Sequence, residues 1–398
     1  MASLIVIFFT VFIDLIGFGI IIPILQPYGR MYGASDLEAG LLMGIFPAVQ
    51  FFVIPVWGWL SQRYGRKPII LVGLFGTVIS YVILAMAGSL AMLFAGRIFA
   101  GISAGNLVAA QAYIADITPP DKRAHGMSLI GIAFGLGFIL GPTIGGILSQ
   151  HSFALPSIVA AVFSAVAFLF GLFVLVESLP PEKRQAHGPM RHPILDISEV
   201  ASDPAVMRVI LANFLFTVAF SAWETVFVLF VGEEVMPGVE EKVLSGRVGY
   251  LFAFAGLLSA LVQGGGIRHL VKRHGEKPLA QAGFVLLILG CLGFVAISWS
   301  DSNVGIGALL PVLALIGVGS GLVNPTASAM VSRLVGPDKQ GQVFGAFRGM
   351  GSLGRVIGPV SAAFLFASVA HSAPYLFGVA LLIGAILLLV GDMRYHGE

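Results

Sequence analysis

The sequence predicts an all-α polytopic membrane protein with twelve transmembrane helices in two pseudo-symmetric six-helix halves. Composition is the first reason: of the 398 residues, 57% are hydrophobic and 11% are charged, whereas soluble domains have roughly 45–50% and about 25%. A water-soluble fold cannot cover so much apolar surface, so we expect most of the chain to lie in lipid. The other two reasons are recurring apolar runs and an internal repeat.

Apolar runs of about twenty residues recur along the chain, each long enough to cross a hydrocarbon core of about 30 Å as a helix. The predicted spans are 4–26, 40–60, 68–88, 91–113, 126–148, 155–177, 206–232, 246–267, 278–298, 305–332, 342–368 and 374–392. The segment between the sixth and seventh spans is rich in prolines and charges, which is typical of a linker. We therefore predict an N-terminal six-helix bundle over 1–177, a cytoplasmic linker over 178–203 and a C-terminal six-helix bundle over 204–398.

Lysines and arginines predict the side of each loop, because they accumulate in cytoplasmic loops. With both termini in the cytoplasm, sixteen of the 22 Lys and Arg residues face inward, and three face outward, namely Arg30, Lys242 and Arg247. We therefore predict a multi-pass protein of the cell (inner) membrane with both termini cytoplasmic. The net charge of +2 follows from this loop bias and indicates no nucleic-acid partner.

We expect no cofactor, no metal site and no enzymatic activity. Cys291 is the only cysteine, so neither an intrachain disulfide nor a cysteine metal cluster can form. The eight histidines fall in loops or near span ends without paired ligand spacing, and the chain has no Walker loop GxxxxGK[ST]. Nothing before Leu4 resembles a cationic leader, so we expect the first helix to remain in the protein.

The two halves match each other in sequence. Residues 60–68 read LSQRYGRKP, and residues 270–278, which lie 210 positions later, read LVKRHGEKP with five identical residues. Pro120, Asp121 and Lys122 recur as 337–339, and the Gly-Pro pair at 141 recurs at 358, both 217 positions later. Such matches predict a repeat with parallel halves, in which a substrate site lies between the halves at mid-membrane.

Three motifs fall at defined places in this repeat. The loop after the second span reads GWLSQRYGRK at 58–67, the fourth span reads RIFAGISAG at 97–105, and the fifth reads GFILGPTIGG at 137–146. They are similar to the signature GxLxDRxGRR, to an arginine-plus-glycine motif and to the antiporter motif GxxxGPxxGG. Together they resemble the major facilitator superfamily, and within it the twelve-span drug:proton antiporters of tetracycline-efflux type. This resemblance implies a major facilitator fold.

The loop motif is predicted to act in gating. Its fixed positions are Gly58, Gln62, Arg63, Gly65, Arg66 and Lys67. The family has an aspartate where this chain has Gln62, and the resemblance implies that such an acid helps to latch the outward-facing state. We predict that Asp116, at the end of the fourth span, pairs with Arg66 instead. A basic loop that only fixes topology is the alternative.

The antiporter motif is predicted to form a close helix contact. Its fixed positions are Gly137, Gly141, Pro142, Gly145 and Gly146. Three of the glycines recur at four-residue spacing, which exposes bare backbone on one helix face to a neighbouring helix. Pro142 removes a backbone donor and favours a kink. We expect a contact that moves, and static packing is the alternative.

Of the twenty acidic residues, only Asp14 and Glu224 lie well inside predicted spans. An ionised group at the bilayer centre costs roughly 2.5–3.5 kcal/mol, so acids there usually have a role. The two positions are 210 apart, the offset that aligns the loops, so we expect both carboxyls to face one central cavity and to exchange protons. A neutral or hydrogen-bonded structural carboxyl is the alternative.

Arg97 is a permanent cation inside the fourth span and needs an anion or a polar cavity. The first and fourth spans are neighbours in the superfamily, so the resemblance implies that Asp14 is its partner. We assign proton coupling to Asp14, Glu224 and Arg97. The alternative is an arginine that extends to the outer headgroups.

Seven further side chains within spans are predicted to line the substrate cavity. They are Gln50, Asn106, Gln111, Asn213, Trp223, Gln263 and Asn324. A sugar site would need more hydrogen-bonding groups, whereas the 31 phenylalanines suit a lipophilic or amphipathic substrate.

These observations predict a monomeric, proton-coupled secondary transporter that exports small lipophilic or amphipathic compounds by alternating access. Its expected partners are the small-molecule substrate, protons and the lipid bilayer. One alternative is a symporter or uniporter of a metabolite, lipid or sugar on the same fold. The other is a membrane receptor that does not transport.

Overall fold

The computed structural model describes residues 2–118, 123–184, 203–300, 304–335 and 340–390, and all regular secondary structure in these ranges is helical. The helices of the first half are α1 (Ala2–Ile21), α2 (Leu25–Met31), α3 (Asp36–Tyr64), α4 (Arg66–Ala85), α5 (Leu90–Ser103), α6 (Asn106–Ile117), α7 (Arg123–Ser149) and α8 (Ala154–Val174). The helices of the second half are α9 (Pro204–Phe230), α10 (Glu241–Leu261), α11 (Ile267–His274), α12 (Glu276–Ser298), α13 (Leu309–Leu334), α14 (Gln340–Ser368) and α15 (Ala373–Leu388).

Ten helical segments in the described ranges are long and apolar enough to cross a membrane. Two shorter apolar helices, Gly135–Ser149 and Ala373–Leu388, correspond to the predicted fifth and twelfth spans. The twelve segments follow one another in the predicted order. The predicted fold class, an all-α polytopic membrane protein, is therefore confirmed.

The repeat that the sequence predicts also appears in helix packing. In the first half, α1 packs against α7 and α8, and α4 packs against α5 and α8. In the second half, α9 packs against α14 and α15, and α12 packs against α13 and α15. Each pair in one half has its counterpart in the other.

The matched loops before α4 and α12 share a backbone conformation. Gly65, before α4, has φ of 104°, and Gly275, which lies 210 positions later and precedes α12, has φ of 81°. Side chains with a Cβ rarely adopt such angles, so each position favours glycine. The loops can therefore reverse the chain tightly at equivalent points of the two halves.

The chain forms two compact units. The first unit consists of Met1–Ala34, Ile45–Arg191 and Glu240–Ala253. The second consists of Ser35–Gly44, His192–Val239 and Phe254–Glu398. Each unit contains most of one predicted half and a short segment from the other half. The linker boundaries at 178–203 stay a prediction, because residues 185–202 lie outside the described ranges.

Two predicted spans are interrupted. The first was expected to continue to residue 26, but α1 ends at Ile21 because the ring of Pro23 cannot continue a helix with normal bonding. The fourth was expected to run over 91–113, but the chain turns at Ala104 and Gly105, between α5 and α6. The amide of Gly105 donates to the carbonyl of Ser103 at 2.7 Å instead of continuing the helical pattern.

Candidate functional site

Asp14 lies in the middle of α1, where two side chains bind its carboxylate. The Asn106 Nδ2 donates to Asp14 Oδ2 at 2.6 Å, and the Ser164 Oγ lies at the longer distance of 3.5 Å from Oδ1. Asn106 is the first residue of α6, and Ser164 belongs to α8. Neutral donors from two neighbouring helices thus satisfy this carboxylate within the first unit.

A small cavity adjoins the Asp14 carboxyl. The space open to the centre of a water molecule is about 10 Å³, which is enough for about one water molecule. The cavity is lined by Thr10, Val11, Asp14, Ile70, Leu74, Asn106, Leu107 and Ala110. It can hold water beside the carboxyl, but it has no room for a drug-sized ligand.

Arg97 is buried in the same unit, with only 4% of its surface exposed. Its guanidinium carbon lies 4.7 Å from the centre of the Phe46 ring, within the range of a cation–π interaction. Tyr81 of α4 interacts electrostatically with both Arg97 and Asp14. Arg97 and Asp14 therefore share one electrostatic neighbour, Tyr81, and a direct pair between Arg97 and Asp14 stays a prediction.

Glu224 is the corresponding acid of the second unit, in α9. It interacts electrostatically with Arg355 of α14. Glu224 is half-buried and Arg355 is exposed. The sequence indicated no role for Arg355, because nothing local to α14 identifies the helix that it faces.

Aromatic side chains flank Glu224 along α9. Trp223 is 5% exposed, and its ring centre lies 5.3 Å from that of Phe220 and 5.5 Å from that of Phe227. A second cavity, with about 10 Å³ open to a water centre, is lined by Phe216, Ala219, Phe220, Trp223, Leu287, Cys291, Ile316 and Leu382. This part of the second unit is apolar and aromatic.

The other predicted cavity residues are dispersed. Asn213 is buried in α9, and Gln50 and Gln111 are half-buried. Gln263 is exposed and donates to Ser259 Oγ at 2.9 Å, and Asn324 is exposed and donates to the Ser320 carbonyl at 3.2 Å. Their place at a substrate cavity stays a prediction.

The predicted pair at the loop between α3 and α4 is present. Arg66 Nε lies 2.8 Å from Asp116 Oδ2, and Arg66 Nη1 donates to Ser61 Oγ at 2.7 Å. The Ser178 hydroxyl donates to the same carboxylate oxygen of Asp116 at 3.1 Å. Gln62, which stands where the family has an acid, is exposed.

Sequence reasoning missed a second acid at this loop. The Glu177 carboxylate accepts hydrogen bonds from the backbone amides of Arg66 at 2.9 Å and Lys67 at 3.2 Å. These amides form the first turn of α4, where a helix has unpaired donors and a partial positive charge. The contact joins residues more than a hundred positions apart, so no local pattern could have revealed it.

The glycine face of α7 packs as predicted. A Cβ added at Gly137 would lie 3.1 Å from the Leu15 backbone, and one added at Gly141 would lie 2.5 Å from Gly19 Cα. Gly146 meets α10 instead, because a Cβ there would lie 3.1 Å from Gly249 Cα. The motif therefore brings α7 close to α1 on one face and to α10 on another, both within the first unit. Whether these contacts move stays a prediction.

The comparisons with known proteins agree with this architecture. The chain matches the Major Facilitator Superfamily over residues 7–359 and again over 267–396. It is 33% identical to the tetracycline resistance protein, class C, of Escherichia coli over 393 residues, which cover 98% of this chain and 95% of that protein. It is 29% identical to multidrug resistance protein 2 of Bacillus subtilis (strain 168), over 96% of this chain and 93% of that protein.

A solved structure also matches along nearly its whole length. The crystal structure of the human organic anion transporter MFSD10 has a TM-score of 0.74 and 26% sequence identity to this chain, covering 98% of this chain and 99% of the human one. The resemblance predicted from the three motifs is confirmed. The chain belongs to the Major Facilitator Superfamily and is a secondary transporter of the alternating-access type.

Proposed function

We propose that this chain exports small lipophilic or amphipathic compounds in exchange for protons. The observation that carries the proposal is the pair of acids inside the spans. Asp14 and Glu224 lie at equivalent positions of the two halves, and each has a polar or charged partner from a neighbouring helix. Carboxyls in such surroundings can change their protonation as the surroundings change during a transport cycle.

The proton gradient is large enough for this exchange. A pH difference of one unit supplies about 1.4 kcal/mol per proton, and a potential of 100 mV supplies about 2.3 kcal/mol per charge moved. One proton driven by both therefore provides about 3.7 kcal/mol, or roughly a five-hundredfold concentration ratio for a neutral substrate.

The aromatic part of the second unit supports a lipophilic substrate. Trp223, Phe216 and Phe220 line an apolar cavity beside the helix turn that contains Glu224. Apolar and aromatic walls with a few polar groups are typical of sites for drug-sized ligands. The tetracycline resistance and multidrug resistance proteins among the relatives support the same substrate class.

An organic anion is the second candidate substrate. Arg97 and Arg355 are permanent cations inside membrane-spanning helices, and such cations attract an anionic ligand. The human relative with a solved structure is an organic anion transporter. Transport of a sugar has no comparable support, because the polar side chains of the predicted cavity are few.

The remaining parts of the proposal concern cell location and assembly. We place the chain in the inner membrane with both termini in the cytoplasm, since Lys and Arg are concentrated in the loops on that side. We further propose that a single chain moves its substrate without chemical conversion. Impermeant labelling of single cysteines placed near each terminus tests the orientation.

Reconstituted vesicles test the function. Purified protein in vesicles with an acidic interior is exposed to tetracyclines, lipophilic cations or organic anions while a dye reports internal pH. Exchange predicts that an exported compound accelerates the loss of internal acid and accumulates inside. Accumulation without proton movement would contradict proton coupling, and a response to organic anions alone would favour the second candidate.

A further inference from the structure

The fourth span breaks beside Asp14. The apolar segment Leu90–Ile117 has the length and composition of one membrane span, yet it consists of α5 and α6 with a turn between them. A break inside lipid is costly because backbone groups lose their helical partners. In transporters, interrupted helices occur where the end of a half-helix meets a charged group.

Neighbouring helices are shaped to hold this break. Trp57 of α3 donates its ring N–H to the Ile102 carbonyl at 2.6 Å, which satisfies an acceptor near the end of α5. The same ring lies against Gly105, where a Cβ would overlap it. On α4, a Cβ added at Gly73 would lie 2.7 Å from the Asn106 backbone nitrogen, so α4 also approaches the break closely.

The start of α6 meets the Asp14 carboxylate. Asn106 Oδ1 accepts from the Leu107 amide at 2.9 Å, so the other end of the Asn106 side chain, Nδ2, faces Asp14 Oδ2 at 2.6 Å. Asn106 and Leu107, the first two residues of α6, line the same small cavity as Asp14. An amide donor and the positive end of a helix both favour a negative charge at this place.

Other groups around Asp14 come from α4, α5 and α8. Among the described residues, the titratable or charged neighbours are Tyr81 of α4 and, through it, Arg97 of α5. Ser164 of α8 adds a hydroxyl at 3.5 Å. Helix α7 approaches this part of α1 through Gly137, an uncharged surface. Asn106 therefore makes the shortest hydrogen bond to the carboxylate.

We propose that Asn106 is a positioning residue for proton coupling: with the start of α6, held in place by Trp57, it stabilises the charged form of Asp14. The broken fourth span is then a device that presents a helix end to the proton-binding acid. This role differs from the one predicted from the sequence, in which Asn106 lines the substrate cavity. Its use in transport rests on the proposed proton coupling.

The test is an infrared titration of the full-length protein, which needs no transport activity. The carbonyl band of the protonated Asp14 side chain is identified as the band that disappears in Asp14→Asn. We expect Asn106→Ala to move the midpoint of this band about one pH unit upward, a tenfold weaker preference for the charged form. Trp57→Phe should move it in the same direction by less, whereas the matched control Trp59→Phe should leave it in place.

Asn106→Ser separates positioning from folding. A serine hydroxyl suits the first turn of a helix but is too short to replace the amide at Asp14 Oδ2, so the midpoint should rise as in Asn106→Ala. An unchanged or lowered midpoint in a well-folded Asn106→Ser protein would overturn the proposal. The band reports the protonation of Asp14 directly, whereas the vesicle measurements report proton-coupled transport. Failure of this proposal and failure of the proposed function can therefore be distinguished.

Discussion

The Arg66 guanidinium and the Asp116 carboxylate form an ion pair in the first unit, with Nε and Oδ2 2.8 Å apart. The second unit contains the same pair with the charges exchanged. Glu276 lies 210 positions after Arg66, and Arg333 lies 217 positions after Asp116, the two offsets that align the halves. Arg333 Nη1 lies 2.9 Å from Glu276 Oε2. This exchange indicates that the attraction matters more than which helix carries which sign.

Exchanging the charges of the first pair tests this idea. Arg66→Glu and Asp116→Arg each place like charges together, and we expect each to destabilise the protein by about 1 kcal/mol, because the pair is partly exposed. The double variant should recover most of the loss. Thermal unfolding of the purified proteins measures the effect. A double variant that is no more stable than the less stable of the two single variants would contradict the idea.

Restoring the acid of the loop motif should change the conformational equilibrium. Gln62 is exposed where the family has an aspartate, and a new carboxylate can add a latch contact through charge and a helix dipole. We expect Gln62→Asp to raise the outward-facing population. Spin-label distances across the side of the protein that carries this loop measure it, with Gln62→Asn as the uncharged control. Equal distance distributions in the two variants would count against a latch.

The glycine contact of α7 with α1 should tolerate no methyl group. A Cβ at Gly141 would clash with the backbone of Gly19, which unlike a side chain has no alternative rotamer. We therefore expect Gly141→Ala to destabilise the protein by about 1–3 kcal/mol. Gly135 on the same helix has no neighbour within 4 Å of an added Cβ. Gly135→Ala is therefore the matched control and should be neutral or slightly stabilising. Equal unfolding temperatures for the two variants would argue against tight packing here.

Substrate binding should weaken as pH falls. If protons and substrate favour different states, bound protons lower the apparent affinity for substrate. For each competing proton, the affinity falls by at most about tenfold when the pH falls by one unit. Fluorescence quenching by a bound tetracycline at several pH values measures this slope. Asp14→Asn and Glu224→Gln should each flatten it, and a slope that is the same in all three proteins would exclude these acids as the coupled groups.

The sequence predicted the helices and the repeat better than the site. The thickness of the bilayer sets the length of each apolar run, and such runs are visible in the sequence. The twelve spans could therefore be placed within several residues. The pair of Arg66 and Asp116 was also predicted, because a missing acid at 62 called for another partner. The pair of Glu276 and Arg333 could have been found by applying the two offsets to that first pair.

Other contacts had no signal in the sequence. The break of the fourth span depends on Trp57 and Gly73, which belong to other helices and approach it only in three dimensions. Ser164 and Tyr81 resemble ordinary residues of apolar helices, and only packing brings them to Asp14. Helix periodicity identifies a face but not its neighbour, so the partners of a buried acid require the structure.

Drug-dependent proton flux in reconstituted vesicles tests the central claim most directly. The unmodified protein, Asp14→Asn and Glu224→Gln are compared at equal amounts, since each amide keeps the size and polarity of its acid without the titratable charge. We expect the unmodified protein to exchange protons for drug, and each variant to fold but to lose uphill export, with substrate binding retained in at least one of them. Proton flux that remains coupled to drug in both variants would contradict the account.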